Sequence, residues 1–318
     1  MNKKILITGA SGFAGSYLAR TLSTKKNNQI FGTYLNENSK LTLSDLPNLN
    51  LIQVDLMDIH AVFDSIKAIS PDEVYHLAAL TSPKQSFEEP TKVLTNNIEA
   101  QVNLLEAVRK LNLSSKILIV SSAEVYGKVN PKDMPIDEKT PLNPTSPYAV
   151  SKIAQDYLGL QYFLSYGLKI VRARPFNHIG PGQTETFSVA AFAKKIAEIE
   201  KGKSEPVLKV GNLESKRDFT DVEDMVNAYH LLMQHGKEGE VYNLGSGRNF
   251  KMSEILDMLL SLSSKKIEVK KEPSLFRPGD NPELVCDATK INALTGWTAT
   301  IPIEATLKKI LDFWREKA

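Results

Sequence analysis

The chain has a single cysteine, Cys286, among its 318 residues. One thiol forms no intrachain disulfide and no zinc–cysteine cluster, so no metal site is expected and a reducing, cytoplasmic setting fits best. Charge of one sign is equally lacking: 39 Lys and Arg stand against 37 Asp and Glu, a formal net charge of +2. That balance argues against a general nucleic-acid binder and leaves room for a local basic site that holds an anionic ligand. No stretch approaches the roughly 20 apolar residues of a membrane span, so no membrane partner is expected. After Met1-Asn2-Lys3-Lys4, only the short run Ile5-Leu6-Ile7 precedes Thr8-Gly9, too short for the apolar stretch of a signal peptide. Repeats and low-complexity tracts are missing as well. What is present is the composition of an ordinary globular chain, with 42% hydrophobic and 24% charged residues. A chain this long buries roughly three quarters of its unfolded surface, in one large or two ordinary domains.

The apolar pattern switches between two periods. Lys3–Thr8 is a short apolar run bounded by glycine and reads as a buried strand. Further strands are expected at Gln29–Leu35, Leu51–Val54, Glu73–Leu77, Lys116–Val120 and Leu168–Ala173. Between them, Ser16–Leu22, Ile59–Ile69, Val93–Leu111 and Tyr148–Tyr166 carry apolar residues at helical spacing, with Ile98, Val102, Leu105 and Val108 on the stripe of the third. Strands alternating with helices predict an α/β fold, a doubly wound parallel sheet of Rossmann type covered on both faces. The rhythm changes after Arg174. Helices at Ser188–Glu200, Val222–Gln234, Ser253–Leu262 and Pro302–Arg315 are joined by irregular stretches with proline and glycine. This half is expected to form a second, smaller α/β lobe.

Directly after the first strand comes Gly9-Ala10-Ser11-Gly12-Phe13-Ala14-Gly15, which opens a helix. Glycines at this place let the backbone turn tightly and approach a pyrophosphate at the helix N-terminus. Gly9, Ser11, Gly12, Phe13, Ala14 and Gly15 are therefore candidate cofactor residues. An acid at the end of the second strand would hold the ribose hydroxyls of NAD. Here the segment is Thr33-Tyr34-Leu35-Asn36, with no acid until Glu37 and no arginine. Asn36 thus favours NADP(H) and leaves NAD(H) open. Asp55, with Leu56 beside it after the third strand, suits the adenine amino group; alternatively it caps the helix that follows. The domains then divide as residues 1–175 plus 218–248 for the dinucleotide and 176–217 plus 249–318 for the substrate.

Tyr148 and Lys152 lie four residues apart, on one face of a helix. A nearby ammonium favours the phenolate, so the spacing predicts a tyrosine pKa that falls toward working pH and a phenol that shuttles a proton. Ser122 follows the fifth strand, at the C-terminal edge where ligands bind doubly wound sheets.

A glycine loop, a strand-end hydroxyl and a Tyr–Lys helix in that order resemble the extended short-chain dehydrogenase/reductase family, across essentially the whole chain. The resemblance implies that Ser122 hydrogen-bonds the reacting oxygen, Tyr148 transfers the proton, and Lys152 lowers its pKa and holds the nicotinamide ribose. His76-Leu77-Ala78-Ala79 is similar to the family's cofactor-lining segment after strand four, and Arg174-Pro175-Phe176-Asn177 to its segment at the mouth of strand six. The same resemblance implies a homodimer paired through helices Val93–Leu111 and Tyr148–Tyr166.

Residues 175–183, 210–222 and 239–247, together with Arg277-Pro278, resemble nucleotide-sugar enzymes, most of all the GDP-4-keto-6-deoxy-D-mannose reductases. That implies a GDP-sugar substrate and NAD(P)H-dependent reduction of its C4 ketone, giving GDP-D-rhamnose or a C4 epimer. The planar forks of Arg217 and Arg277 suit a diphosphate, and Asn177 and Lys194 add further donors. A single arginine or lysine reads as readily as a surface ion pair. His178 reads as a hydrogen-bonded loop residue without an acid–base role. Ser122-Ala123-Glu124 is similar to the Thr-x-Glu set of 4,6-dehydratases, whose carboxylate manages protons at C5 and C6. Glu124 therefore keeps a lyase, GDP-mannose 4,6-dehydratase, as the alternative. A nucleotide-sugar epimerase is a third reading. A non-enzymatic NAD(P)-sensing regulator is disfavoured by the intact Tyr–Lys pair.

Overall fold

The computed structural model of the chain describes residues 3–25, 28–37, 43, 46, 48–276 and 281–318. In chain order, β1 (Lys3–Thr8) leads into α1 (Phe13–Ser23), followed by β2 (Asn28–Tyr34), β3 (Leu49–Gln53), α2 (Ile59–Ile69) and β4 (Glu73–His76). Next come α3 (Pro83–Glu88), α4 (Pro90–Lys110), β5 (Lys116–Val120), α5 (Pro147–Tyr166) and β6 (Lys169–Pro175). The rest runs β7 (Asn177–Ile179), α6 (Ser188–Glu200), β8 (Val207–Val210), β9 (Lys216–Asp221), α7 (Val222–His235), β10 (Val241–Leu244), β11 (Asn249–Lys251) and α8 (Met252–Ser261). It closes with β12 (Glu268–Lys271), β13 (Glu283–Leu284), α9 (Thr289–Thr295) and α10 (Ile303–Lys317).

Seven of these strands form one sheet in the order β10-β6-β5-β4-β1-β2-β3. Every neighbouring pair in it is parallel. The expected doubly wound α/β sheet is therefore present, with β10 added at its edge; the sequence pattern had left Val241–Leu244 among irregular stretches. Ile5, Ile7 and Leu6 show why β1 is central. Ile5 and Ile7 pack on one face with Leu18, Leu22, Tyr75 and Val226, while Leu6 packs on the other with Leu104, Ile117 and Ile119. Each such fully buried aliphatic side chain stabilises the fold by about 1.5–3 kcal/mol relative to exposure.

Helix ends follow local chemistry. Pro90 opens α4 three residues before the expected Val93, because proline is preset for a first helical turn. The unexpected short helix α3 starts the same way, with Ser82 capping Gln85 N at 3.2 Å and Pro83 in the first turn. Around α5, the Ser146 hydroxyl accepts from Ala149 N at 3.1 Å, and Gly167 ends the helix at φ +68°.

The C-terminal residues build smaller sheets. β9 pairs with β11, β13 and β7, and β8 pairs with β12. A separate apolar cluster joins α6, α8 and α10 through Ile196, Ile255, Leu256 and Leu307. Ile291 and Trp297, by contrast, pack into the sheet-side core with Val226. Among the described residues no helix is long and apolar enough to cross a membrane.

Candidate active site

The strand order reverses between β1 and β4, which leaves β2 and β3 on one side and β5, β6 and β10 on the other. Doubly wound sheets bind ligands outside their C-terminal edge at such a point. The topology brings Gly9, Ser11, Gly12, Phe13, Ala14 and Gly15 to this edge after β1. It brings Asn36 there after β2, Asp55 and Leu56 after β3, and Leu77, Ala78 and Ala79 after β4.

Space dictates two of the glycines. Gly9 sits at φ +70°, and a Cβ there would meet the Ala78 Cα at 2.9 Å. A Cβ on Gly15 would lie 2.1 Å from the Gly9 carbonyl oxygen, so the first turn of α1 lies directly on the loop. Gly12 N donates to that same oxygen at 3.0 Å. Neighbouring strands fix the loop: Gly9 N donates to Thr33 Oγ1 at 3.1 Å, and Thr8 Oγ1 lies 2.8 Å from His76 Nδ1. α1 begins at Gly12 with no side-chain cap and no acid in its first turn. Its first N–H groups and its dipole therefore favour an anion. A cradle that even a Cβ would fill, ending on an uncapped helix, fits the pyrophosphate of a nicotinamide dinucleotide.

The selectivity positions are open. Leu35 is 61% exposed and Asn36 is exposed, while the first acid, Glu37, accepts from Tyr34 Oη at 2.9 Å. Asp55 is not the cap of α2. It is exposed and accepts from Met57 N at 2.9 Å, whereas Asp58 caps the helix through His60 N and Ala61 N.

The candidate catalytic residues come together at the end of β5. Ser122 caps the short turn Ala123–Val125, accepting from Glu124 N at 3.2 Å, and lies close enough to Tyr148 to favour its phenolate. Lys152 Nζ donates to the carbonyl of Val120, the last residue of β5, at 3.0 Å and lies 6.0 Å from the Tyr148 ring centroid. Tyr148 is 7% and Lys152 3% exposed. The phenol pKa does not fall as the spacing alone predicts. Burial pushes Tyr148 well above the ordinary tyrosine range; the nearby Ser122 hydroxyl opposes this and the Glu124 carboxylate adds to it. Burial also pushes Lys152 down to about 7. With both groups withdrawn from water, their neutral forms are favoured. His76 behaves likewise, driven down to about 3 by burial and then by Lys152.

Two of the candidate substrate residues, Asn177 and Arg217, lie on paired strands. Asn177 begins β7, beside β9. Arg217, on β9, donates to the carbonyls of Lys216 at 2.8 Å and Asn281 at 2.7 Å. Lys194 is an ion-pair partner: it bonds Glu185 at 2.8 Å and lies 5.5 Å from the Trp314 ring, which is the surface role open to any lone lysine. Arg277 lies outside the described residues. His178 Nδ1 donates to Phe176 O at 3.2 Å, and its ring lies parallel to that of Phe13 at 6.0 Å.

Sequence reasoning missed Asn97. It is fully buried on α4, accepts from Leu80 N at 2.7 Å and donates to Leu80 O at 3.0 Å, pinning the chain just beyond Ala79. It also donates to Ser151 Oγ at 2.9 Å, on the catalytic helix. Ile98 and Val102 of the expected stripe are only half-buried, and the face of α4 that packs inward carries Asn97, Gln101 and Asn103. A polar residue four positions from Val93 and from Gln101 was the available signal.

Residues 6–310 match the family model described as GDP-mannose 4,6 dehydratase. The chain is 33% identical over 317 residues to the GDP-6-deoxy-D-mannose reductase of Pseudomonas aeruginosa, covering 100% of this chain and 99% of that one. It is 30% identical over 344 residues to a GDP-mannose 4,6-dehydratase of Yersinia enterocolitica, covering 95% and 91%. The solved structure of RMD from Pseudomonas aeruginosa complexed with NADPH resembles it at a TM-score of 0.87 and 32% identity, over 99% of this chain and 100% of that one.

Proposed function

The chain belongs to the GDP-mannose 4,6-dehydratase family, and we propose that it is an NADP(H)-dependent oxidoreductase that reduces the C4 ketone of a GDP-4-keto-6-deoxyhexose to GDP-D-rhamnose or its C4 epimer. NAD(H) is the alternative cofactor. The observation that carries an oxidoreductase is buried Tyr148 with Ser122 beside it and buried Lys152 bonded to the C-terminal end of β5. Identity of 33% over the whole length of a reductase supports reduction as the specific reaction.

In this reading the loop Gly9–Gly15 holds the cofactor pyrophosphate, and the cofactor supplies the hydride that C4 receives. Tyr148, kept protonated by burial, gives its proton to the ketone oxygen as charge develops there. Ser122 donates to that oxygen and keeps the phenol aimed at it. Lys152, titrating near neutral pH, returns a proton to Tyr148 after each turnover. Arg217 and Arg277 grip the substrate diphosphate, with Asn177 at the mouth of the site. The domain division given above is part of this reading; the separate apolar cluster of α6, α8 and α10 supports it, whereas Ile291 and Trp297 pack with the sheet-side core. So is a cytoplasmic setting, supported by the single, buried Cys286.

A second reading, the lyase, is favoured by one observation: Glu124 is half-buried and its charge acts on Tyr148, where a dehydratase needs a carboxylate. A homodimer is supported by Val150, Tyr157 and Leu164, which are 45%, 52% and 70% exposed along α5 at seven-residue spacing. Sedimentation of Leu164→Glu as a monomer beside a dimeric wild type tests it; equal masses would remove it.

The reactions separate by cofactor. A reductase consumes one NADPH per ketosugar and leaves GDP-mannose untouched when cofactor is only catalytic. Conversion of GDP-mannose without net cofactor change would install the lyase instead.

A further inference from the structure

Ser122 and Tyr148 must lie close enough to act on one reacting oxygen, yet they sit on different elements, the turn after β5 and helix α5. A residue of neither element touches both. Arg174, on β6 and 3% exposed, donates from Nε to Asp156 Oδ2 at 2.8 Å and from a terminal nitrogen to Tyr126 Oη at 3.0 Å. Its guanidinium carbon also lies 5.2 Å from the Tyr126 ring centroid. Asp156 is fully buried on α5, two turns beyond Tyr148. Tyr126, fully buried, ends the short turn that Ser122 begins. Beyond Arg174 the ties continue. Tyr126 Oη donates to Asn243 Oδ1 at 2.6 Å, and Arg172 donates to Asp156 Oδ1 at 2.6 Å.

None of these groups enters the reaction steps. A buried ion cluster is weak evidence for stability, because desolvation offsets most of its attraction. What a guanidinium does supply is a rigid, planar fork that fixes two partners relative to each other. We infer that Arg174 is a positioning residue: by holding Tyr126 and Asp156 at once, it sets the Ser122–Tyr148 separation that proton transfer requires. This rests on the proposed function only in that Tyr148 moves a proton, a step shared by the reductase and lyase readings.

Tyr126→Phe is the sharper variant, since it removes the oxygen that Arg174 grips and leaves the Arg174–Asp156 pair. Its kcat should fall on the order of tenfold through misalignment. NADPH affinity and the KM for sugar nucleotide should stay within about twofold of wild type. The alkaline limb of the pH profile should move up, because a displaced Ser122 withdraws its support from the phenolate while Glu124, Lys152 and Tyr229 around it are unchanged. In a Ser122→Ala background the same substitution should cost less than about twofold. Arg174→Gln should behave alike and more severely; if it fails to fold, Tyr126→Phe decides. An undiminished tenfold loss in the Ser122→Ala background overturns the inference. So does a parallel loss of NADPH affinity, or an unchanged kcat. A wild type inactive on ketosugar contradicts only the reductase reading, and the same cycle is then read on GDP-mannose dehydration.

Discussion

On the seven-stranded side, Lys152 donates to the end of β5 and Tyr148 lies beside a serine from the turn that follows it. In the C-terminal lobe, Lys194 leans on Glu185 and Trp314, and Arg217 on the carbonyls of Lys216 and Asn281. The first pair is set by long, buried elements that end together at one edge. The second pair is already engaged with its own chain. In the proposed reading, the regular half carries the chemistry, and the other half, which would hold the sugar nucleotide, must exchange internal contacts for ligand contacts. Binding energy spent on that exchange does not appear as affinity.

The comparison breaks first at Tyr148. Tyr148→Phe should lower turnover by about 10²–10⁴-fold with cofactor binding nearly intact, since the phenol is asked for proton transfer; fluorescence titration with NADPH and steady-state rates separate the two. Wild-type turnover would remove the regular half from the chemistry. Gly15→Ala comes next, because its Cβ would press on the Gly9 carbonyl at 2.1 Å. NADPH affinity should weaken by about 10- to 100-fold, the cost of overpacking a tight site. Calorimetry that finds no change would mean that the cradle does not hold the pyrophosphate. In the lobe, Arg217→Ala should weaken GDP-sugar binding by about 1.5 kcal/mol, roughly tenfold, and NADPH binding hardly at all. Equal weakening of both ligands would assign the arginine to the fold. Lys194→Ala should be the mildest, within about twofold of wild type in KM, because a half-exposed ion pair contributes little. A KM raised tenfold would return Lys194 to the substrate site.

Legibility in the sequence divides along the same line. β1 and β5 were readable because strands buried on both faces appear as unbroken apolar runs. The glycine loop and the Tyr148–Lys152 pair were readable because their geometry depends on spacing within one strand–helix unit or one helix. β10 was not, since Val241-Tyr242-Asn243-Leu244 is four residues long and becomes a strand by pairing with β6. β7, β9, β11 and β13 are likewise defined by partners distant in sequence. The direction of the Tyr148 pKa was missed for a related reason. An i, i+4 lysine is visible in the sequence, but the burial that outweighs it comes from the whole fold. Asn97 and the Arg174–Asp156–Tyr126 group were hidden because buried polar residues have no periodic signature of their own.

The destination of the hydride tests the central claim most directly. The protein is incubated with GDP-4-keto-6-deoxymannose and, separately, with GDP-mannose and catalytic NADP+, each with NADPH carrying deuterium at both C4 positions of the nicotinamide, and the sugar products are read by NMR. The reductase account predicts deuterium at C4 of the sugar, one equivalent for each NADPH oxidised, and the same outcome at a comparable rate for Glu124→Gln. GDP-mannose converted to ketosugar with its own C4 hydrogen moved to C6, no label taken from NADPH, and activity lost in Glu124→Gln would contradict it.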